Sequence, residues 1–81
     1  MSAAEITSQL VSALESAATR EAGADAALVS VTLEIVAQGD GGKAETQLLR
    51  KTRTLIFMRA ELRTASGALI ATANSVHKLE G

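Results

Sequence analysis

The sequence predicts an α+β domain in which one long N-terminal helix packs on a four-stranded antiparallel sheet. Apolar residues recur at helical spacing through the first 22 positions, and apolar and polar residues then alternate in the segments that follow. Glycine-containing turns separate several of those segments. With 81 residues the chain has the length of one domain, and we expect residues 1–81 to form it.

The helix is predicted over residues 2–22, which contain neither proline nor glycine. Ser2 and Glu5 have the spacing of a capping box, and Gly23 can end the helix in a left-handed conformation. One apolar stripe should pack on the sheet: Ile6, Leu10, Ala13, Leu14 and Ala17. A second face of small or half-apolar character, with Val11, Glu15 and Ala18, is expected to meet another subunit.

Four strands are predicted, over residues 28–37, 43–51, 54–64 and 68–79. Residues 38–42 read QGDGG and give the strongest turn signal, while Ser66 and Gly67 mark a later hairpin. Because the connections are short, each strand is expected to pair with the next one along the chain.

Two single residues in these strands carry expectations of their own. Phe57, the only aromatic residue, is expected in the core. His77 lies near the end of the last strand, and it is expected to be exposed because no second metal ligand or catalytic partner accompanies it.

Composition argues against several classes of function. The chain has no cysteine and one histidine, so neither a disulfide nor a metal site is expected, and no cofactor is predicted. A formal charge of −1 and a single aromatic residue argue against nucleic-acid binding. No apolar run approaches the ~20 residues that span a bilayer. We expect a soluble, cytoplasmic protein.

Oligomerisation is predicted from the size of the chain and from its sheet. A chain of 81 residues buries a small core, and oligomers commonly compensate for this. One face of the sheet and at least one edge should stay uncovered, which invites a second copy. A homodimer or homotetramer is therefore expected.

Residues 43–79 resemble the closing part of hot-dog-fold acyl-CoA thioesterases, most closely the PaaI-type branch. The resemblance lies in the order and spacing of three segments: RKTRTLIF from Arg50, AELR from Ala60 and SGALIATA from Ser66. The segment LESAA from Leu14 is similar to the central helix of the family, and Val29-Ser30-Val31 is similar to the strand that follows it.

The resemblance implies roles for individual residues. Glu15 would act as the general base or nucleophile at the thioester carbonyl, and Ser30 or Thr32 would orient the water or the carboxylate. Arg50, Lys51 and Arg53 would pair with the phosphates of coenzyme A. Without the resemblance, Glu15 reads as a surface residue, the hydroxyls as ordinary strand residues and the basic cluster as a solvated turn.

The chain also departs from the family at its N-terminus. It starts too late for the strand that precedes the family's helix, so it looks truncated there, and Thr7 and Ser8 stand where the family has glycines. Those glycines carry the N–H groups of the oxyanion hole, whereas N–H groups inside a helix are already bonded.

The leading hypothesis is a thioesterase that hydrolyses an acyl-CoA thioester at a site between two subunits, with Glu15 as the base. The alternative is a catalytically impaired hot-dog module that binds acyl-CoA or serves only in assembly. A third possibility is a small oligomerising α+β domain without any connection to thioesters.

Overall fold

The computed structural model describes residues 1–79. Within them lie one helix, α1 (Ala3–Ala22), and four strands: β1 (Ala26–Ile35), β2 (Lys43–Lys51), β3 (Leu55–Arg63) and β4 (Leu69–Leu79). All strand pairs are antiparallel. The prediction of one N-terminal helix on a four-stranded antiparallel sheet is confirmed.

Both ends of α1 are set by the residues that the sequence indicated. The side chain of Ser2 accepts a hydrogen bond from the N–H of Glu5 at 3.1 Å, and the Glu5 carboxylate accepts one from the N–H of Ser2 at 3.1 Å. At the other end Gly23 adopts a φ of 71°, and its N–H donates to the carbonyl of Thr19 at 3.0 Å. This conformation costs glycine little because it has no Cβ.

The sheet order is β1-β4-β3-β2, so β1 pairs with β4 rather than with β2. The expectation that each strand pairs with its successor is therefore wrong for β1. The two strands that the QGDGG segment connects lie at opposite edges of the sheet. Strand pairing depends on contacts between distant residues, and a local turn signal does not report them.

The connection from β1 to β2 runs across the end of the sheet. The N–H groups of Val36 and Ala37 both donate to the carbonyl of Ile70 in β4, at 2.8 and 3.2 Å. Further along, the N–H of Gly42 donates to the carbonyl of Arg63 in β3 at 2.9 Å. These bonds satisfy the backbone of a segment that forms no hairpin.

Gly41 shows why this crossing needs glycine. A Cβ built on Gly41 would lie 3.0 Å from the nearest Leu62 side-chain carbon and 3.1 Å from the Met1 sulfur. Leu62 is fully buried and has little room to move away. Gly41 therefore serves close packing over β3.

The core lies between α1 and one face of the sheet, which we call the helix side; the opposite face is called the open face. Burial alternates along β3, as a strand with one covered face requires. The core consists of Ile6, Leu10, Leu14, Ala17 and Ala18 from α1, Ile56, Met58, Ala60 and Leu62 from β3, and Ile70, Ala71 and Ala73 from β4.

Phe57 lies on the open face, where it is only half-buried. It alternates with Ile56 and Met58, which are both buried against the helix. The expectation that Phe57 belongs to the core is therefore wrong, because its position in the alternation turns it away from α1.

Strand β1 forms an edge that α1 covers incompletely. Leu28, Val31 and Ile35 pair with helix-side residues of β4, yet they remain 36%, 37% and 42% exposed. A β-bulge at Val29 shifts the register between Leu28 and Ser30. The edge thus presents apolar side chains to the surroundings.

Among residues 1–79 no helix is long and apolar enough to cross a membrane.

Candidate functional site

Glu15 lies on the flank of α1, at the boundary between the buried face of the helix and its exposed face. Its side chain is exposed, while Ala18 is fully buried and Val11 is half-buried. Ala18 therefore belongs to the core of its own chain, and the expectation that it meets a second subunit is wrong. Glu15 borders apolar surface and is still accessible to a substrate.

His77 is fully buried on the helix side of β4, with 0% of its surface exposed, so the expectation of an exposed histidine is wrong. It lies between Leu28 of β1 and Ile56 of β3 in the strand register. Its Nε2 atom is 2.7 Å from the hydroxyl oxygen of Ser75, which is also buried. The two residues form a polar pair beneath the helix.

The pKa of His77 is lowered from its usual value of 6.5 because burial disfavours the charged ring. The negative charge of Glu15 acts in the opposite direction and favours the protonated form, but the effect of burial is larger. His77 is therefore neutral at physiological pH.

The second ring nitrogen of His77 has no partner. Within residues 1–79, Nδ1 is the one buried side-chain nitrogen or oxygen that makes no hydrogen bond. A buried polar atom without a partner costs free energy, so native proteins rarely keep one without a reason. The surroundings of Nδ1 are therefore a candidate functional site, and the sequence alone did not indicate it.

A signal for the burial of His77 was present in the sequence. Ser75 and His77 share the two-residue alternation of Ala71 and Ala73, which form part of the core. Continuing that alternation toward the C-terminus places both polar residues under the helix.

Ser30 and Thr32 lie on the other face of the sheet from Glu15. In the register Ser30 stands beside Val76 and Thr32 beside Asn74, and these β4 positions alternate with the buried ones. Within one copy of the chain the sheet separates both hydroxyls from the helix. The structure does not bring Ser30 or Thr32 together with Glu15.

The side chains of the three basic residues, Arg50, Lys51 and Arg53, lie in different surroundings. Arg50 pairs with Phe57 on the open face, whereas Lys51 pairs with Ile56 on the helix side. The ammonium group of Lys51 donates to the carbonyl of Glu21 at 2.8 Å, in the last turn of α1. Lys51 thus stabilises the C-terminus of the helix, where a positive charge is favourable.

Arg53 is exposed in the turn between β2 and β3. The neighbouring Thr52 organises this turn, since its hydroxyl accepts from the N–H of Leu55 at 3.0 Å. All three basic residues lie at the same end of the sheet as the helix C-terminus, with Arg50 on the open face and Lys51 on the helix side.

The first turns of α1 offer no oxyanion hole at Thr7 and Ser8. The helix begins at Ala3, so the N–H groups of both residues belong to the helical ladder. The hydroxyl of Thr7 also donates to the carbonyl of Ala3 at 2.8 Å. N–H groups that are already bonded cannot stabilise an oxyanion.

In residues 1–79 no group of three His, Cys, Asp or Glu side chains is arranged to hold a metal ion.

Two solved structures share this architecture. A protein from the thioesterase superfamily superposes with a TM-score of 0.88 over 99% of this chain and 62% of its own, at 13% identity. A Bacillus halodurans protein, crystallised with CoA, superposes with a TM-score of 0.76 over 85% of this chain and 51% of its own, at 18% identity.

The present chain thus spans about three fifths and one half of the lengths of those proteins. No protein-family model and no curated protein sequence matches it. Identities this low show a shared fold. The chain has the hot-dog fold that the resemblance of its sequence predicted.

Proposed function

We propose that the chain is a thioesterase-like protein that hydrolyses an acyl-CoA thioester at an interface between subunits. The observation that carries the proposal is the position of Glu15, which is exposed on α1 and whose negative charge favours the protonated form of buried His77. The fold supports the proposal, since one similar structure is a thioesterase-superfamily protein and the other was crystallised with CoA.

In the proposed reaction Glu15 acts as a general base on water. The carboxylate takes a proton as the water oxygen attacks the thioester carbonyl carbon, which gives a tetrahedral intermediate with a negative oxygen. Collapse of the intermediate breaks the carbon–sulfur bond, and the CoA thiolate receives the proton that Glu15 holds. The products are the free acid and the CoA thiol.

A second copy would complete the site at the β1 edge. Leu28, Val31 and Ile35 are apolar and partly exposed there, and an unpaired strand edge is a template for association. A carboxylate becomes a stronger base where apolar groups exclude water from it. Native mass spectrometry tests this step: a dimer or tetramer supports it, and a monomer at micromolar concentration contradicts it.

The roles of Ser30 and Thr32 need more than one copy of the chain. Because both lie on the open face, only a neighbouring copy whose helix packs against that face could bring them to a Glu15 carboxylate. Ser30→Ala and Thr32→Val variants test their part in turnover. Unchanged kcat would limit the reaction to residues of the helix side.

Arg50, Lys51 and Arg53 are proposed to bind the phosphates of CoA from the end of the sheet. An Arg53→Gln variant should weaken CoA binding severalfold and reduce its dependence on salt, because one exposed cation is lost. Lys43→Gln at the opposite end of β2 is the matched control and should bind normally. Equal affinity in both variants would contradict this binding site.

One observation favours the alternative of binding without turnover. The N–H groups of Thr7 and Ser8 are committed to the helical ladder, so the family's usual stabilisation of the oxyanion is missing at that place. In this alternative the protein would bind acyl-CoA and release no thiol.

The deciding experiment measures thiol release from acyl-CoA substrates of several chain lengths. Loss of a general base typically costs about 10²- to 10⁴-fold in rate, so Glu15→Gln should lose most activity. Glu34→Gln is the control, because it removes an exposed carboxylate from the other sheet face. Full activity of Glu15→Gln would refute the assignment, and CoA binding without thiol release would support the alternative.

A further inference from the structure

We propose that His77 is a positioning residue for Glu15, whose carboxylate accepts a hydrogen bond from the Nδ1–H group of the imidazole, directly or through one water. The catalytic meaning of this contact rests on the proposed function. The contact itself can be tested without any enzymatic activity.

The surroundings of His77 leave few polar groups that could reach it. Its neighbours in the register are Leu28 on β1 and Ile56 on β3, which are both apolar. On its own strand Ser75 is bonded to Nε2. The helix above carries Glu15, whose negative charge favours the protonated ring.

The bond to Ser75 indicates which nitrogen of His77 carries the proton. If Nε2 donated to Ser75, the serine hydrogen would be left without an acceptor and Nδ1 would be left without a donor. If Ser75 instead donates to Nε2, the only group without a partner is Nδ1–H. The second arrangement leaves one group unsatisfied instead of two, so it is favoured.

A buried N–H donor without an acceptor is best satisfied by a carboxylate. Glu15 has an exposed and therefore movable side chain on the helix flank. A second copy or an acyl chain that covers this flank would remove water from the carboxylate and favour its turning inward. The resulting order of groups is Ser75 hydroxyl, imidazole, carboxylate.

Such a contact would fix the orientation of the carboxylate and leave other acceptor positions on it free. A carboxylate has two oxygens and about four acceptor positions, so one hydrogen bond from His77 leaves a free oxygen for water. The neutral ring adds no charge beside Glu15. The buried Ser75–His77 pair would thus aim the base at its substrate.

The test uses ¹⁵N nuclear magnetic resonance of the full chain, which has a single histidine and hence one imidazole signal set. At neutral pH the wild type should show the Nδ1–H tautomer. The Glu15→Gln variant should shift the titration midpoint of His77 to lower pH, because the carboxylate that favours the cation is gone. Glu34→Gln should leave the midpoint in place.

Two results would overturn the proposal. One is the Nε2–H tautomer in the wild type at neutral pH. The other is a His77 spectrum and midpoint that are identical in the wild type and in Glu15→Gln. Both can be obtained from a protein without thioesterase activity, so failure of this proposal is distinguishable from failure of the proposed function.

If thiol release is observed, two substitutions of His77 separate positioning from mere structure. His77→Asn keeps an amide N–H near the place of Nδ1, whereas His77→Gln keeps its polar group near Nε2 and Ser75. The positioning role predicts a loss in kcat of about tenfold or more for His77→Gln and a smaller loss for His77→Asn. Losses that follow only the melting temperatures of the two variants would refute it.

Discussion

The buried His77 should make the stability of the protein depend on pH. Folding lowers the pKa of His77 below its usual 6.5, so the unfolded chain binds a proton at a pH where the folded chain does not. The contribution of the neutral ring is fully present above about pH 6.5. It is lost progressively as the pH falls below that value toward the pKa of the folded state.

The size of the effect has an upper limit. A difference of one bound proton changes the free energy of unfolding by about 1.4 kcal/mol per pH unit. At pH 5.5 the loss can therefore reach about 1.4 kcal/mol, and the attraction between the Glu15 carboxylate and the protonated ring reduces it. A chain of 81 residues has a total stability of about 4 to 12 kcal/mol, so the change is measurable.

Urea unfolding at several pH values between 7.5 and 5.0 provides the measurement, with His77→Gln as the reference. The glutamine keeps a polar group near Ser75 and does not titrate, while carboxylates such as Glu5 titrate in both proteins and cancel. The wild-type midpoint should fall by up to about 1 M urea relative to the variant. Parallel pH dependences in the two proteins would refute the burial of His77 as a neutral ring.

Two further predictions concern the packing that holds the site in place. Leu14→Ala removes a fully buried side chain from the face of α1 and should lower the free energy of unfolding by about 2 to 5 kcal/mol in urea titrations; a loss below 1 kcal/mol would contradict the packing of the helix. Gly41→Ala places a Cβ within 3.0 Å of Leu62 and should cost about 1 to 3 kcal/mol in the same assay, whereas Gly39→Ala, with its nearest contact at 3.4 Å, should cost less.

Local signals in the sequence predicted the elements of this fold and failed on one aspect of their arrangement. The helix ends followed from Ser2, Glu5 and Gly23 because capping depends on residues within a few positions of each other. The pairing of β1 with β4 did not follow, since it joins residues such as Ala26 and Leu79 that are far apart in the chain. The glycines of residues 38–42 indicated a turn, but the role of Gly41 is close packing over Leu62.

The site shows how two kinds of evidence in one sequence can disagree. The resemblance grouped Glu15 with Ser30 and Thr32, although strand alternation put those hydroxyls on the opposite side from the apolar residues of β1 that should face the helix. Alternation was the better guide to which sheet face lies under α1, and its extension along β4 leads to His77. Glu15 on the helix and the buried imidazole of His77 beneath it are therefore the two residues at which catalytic chemistry should be tested first.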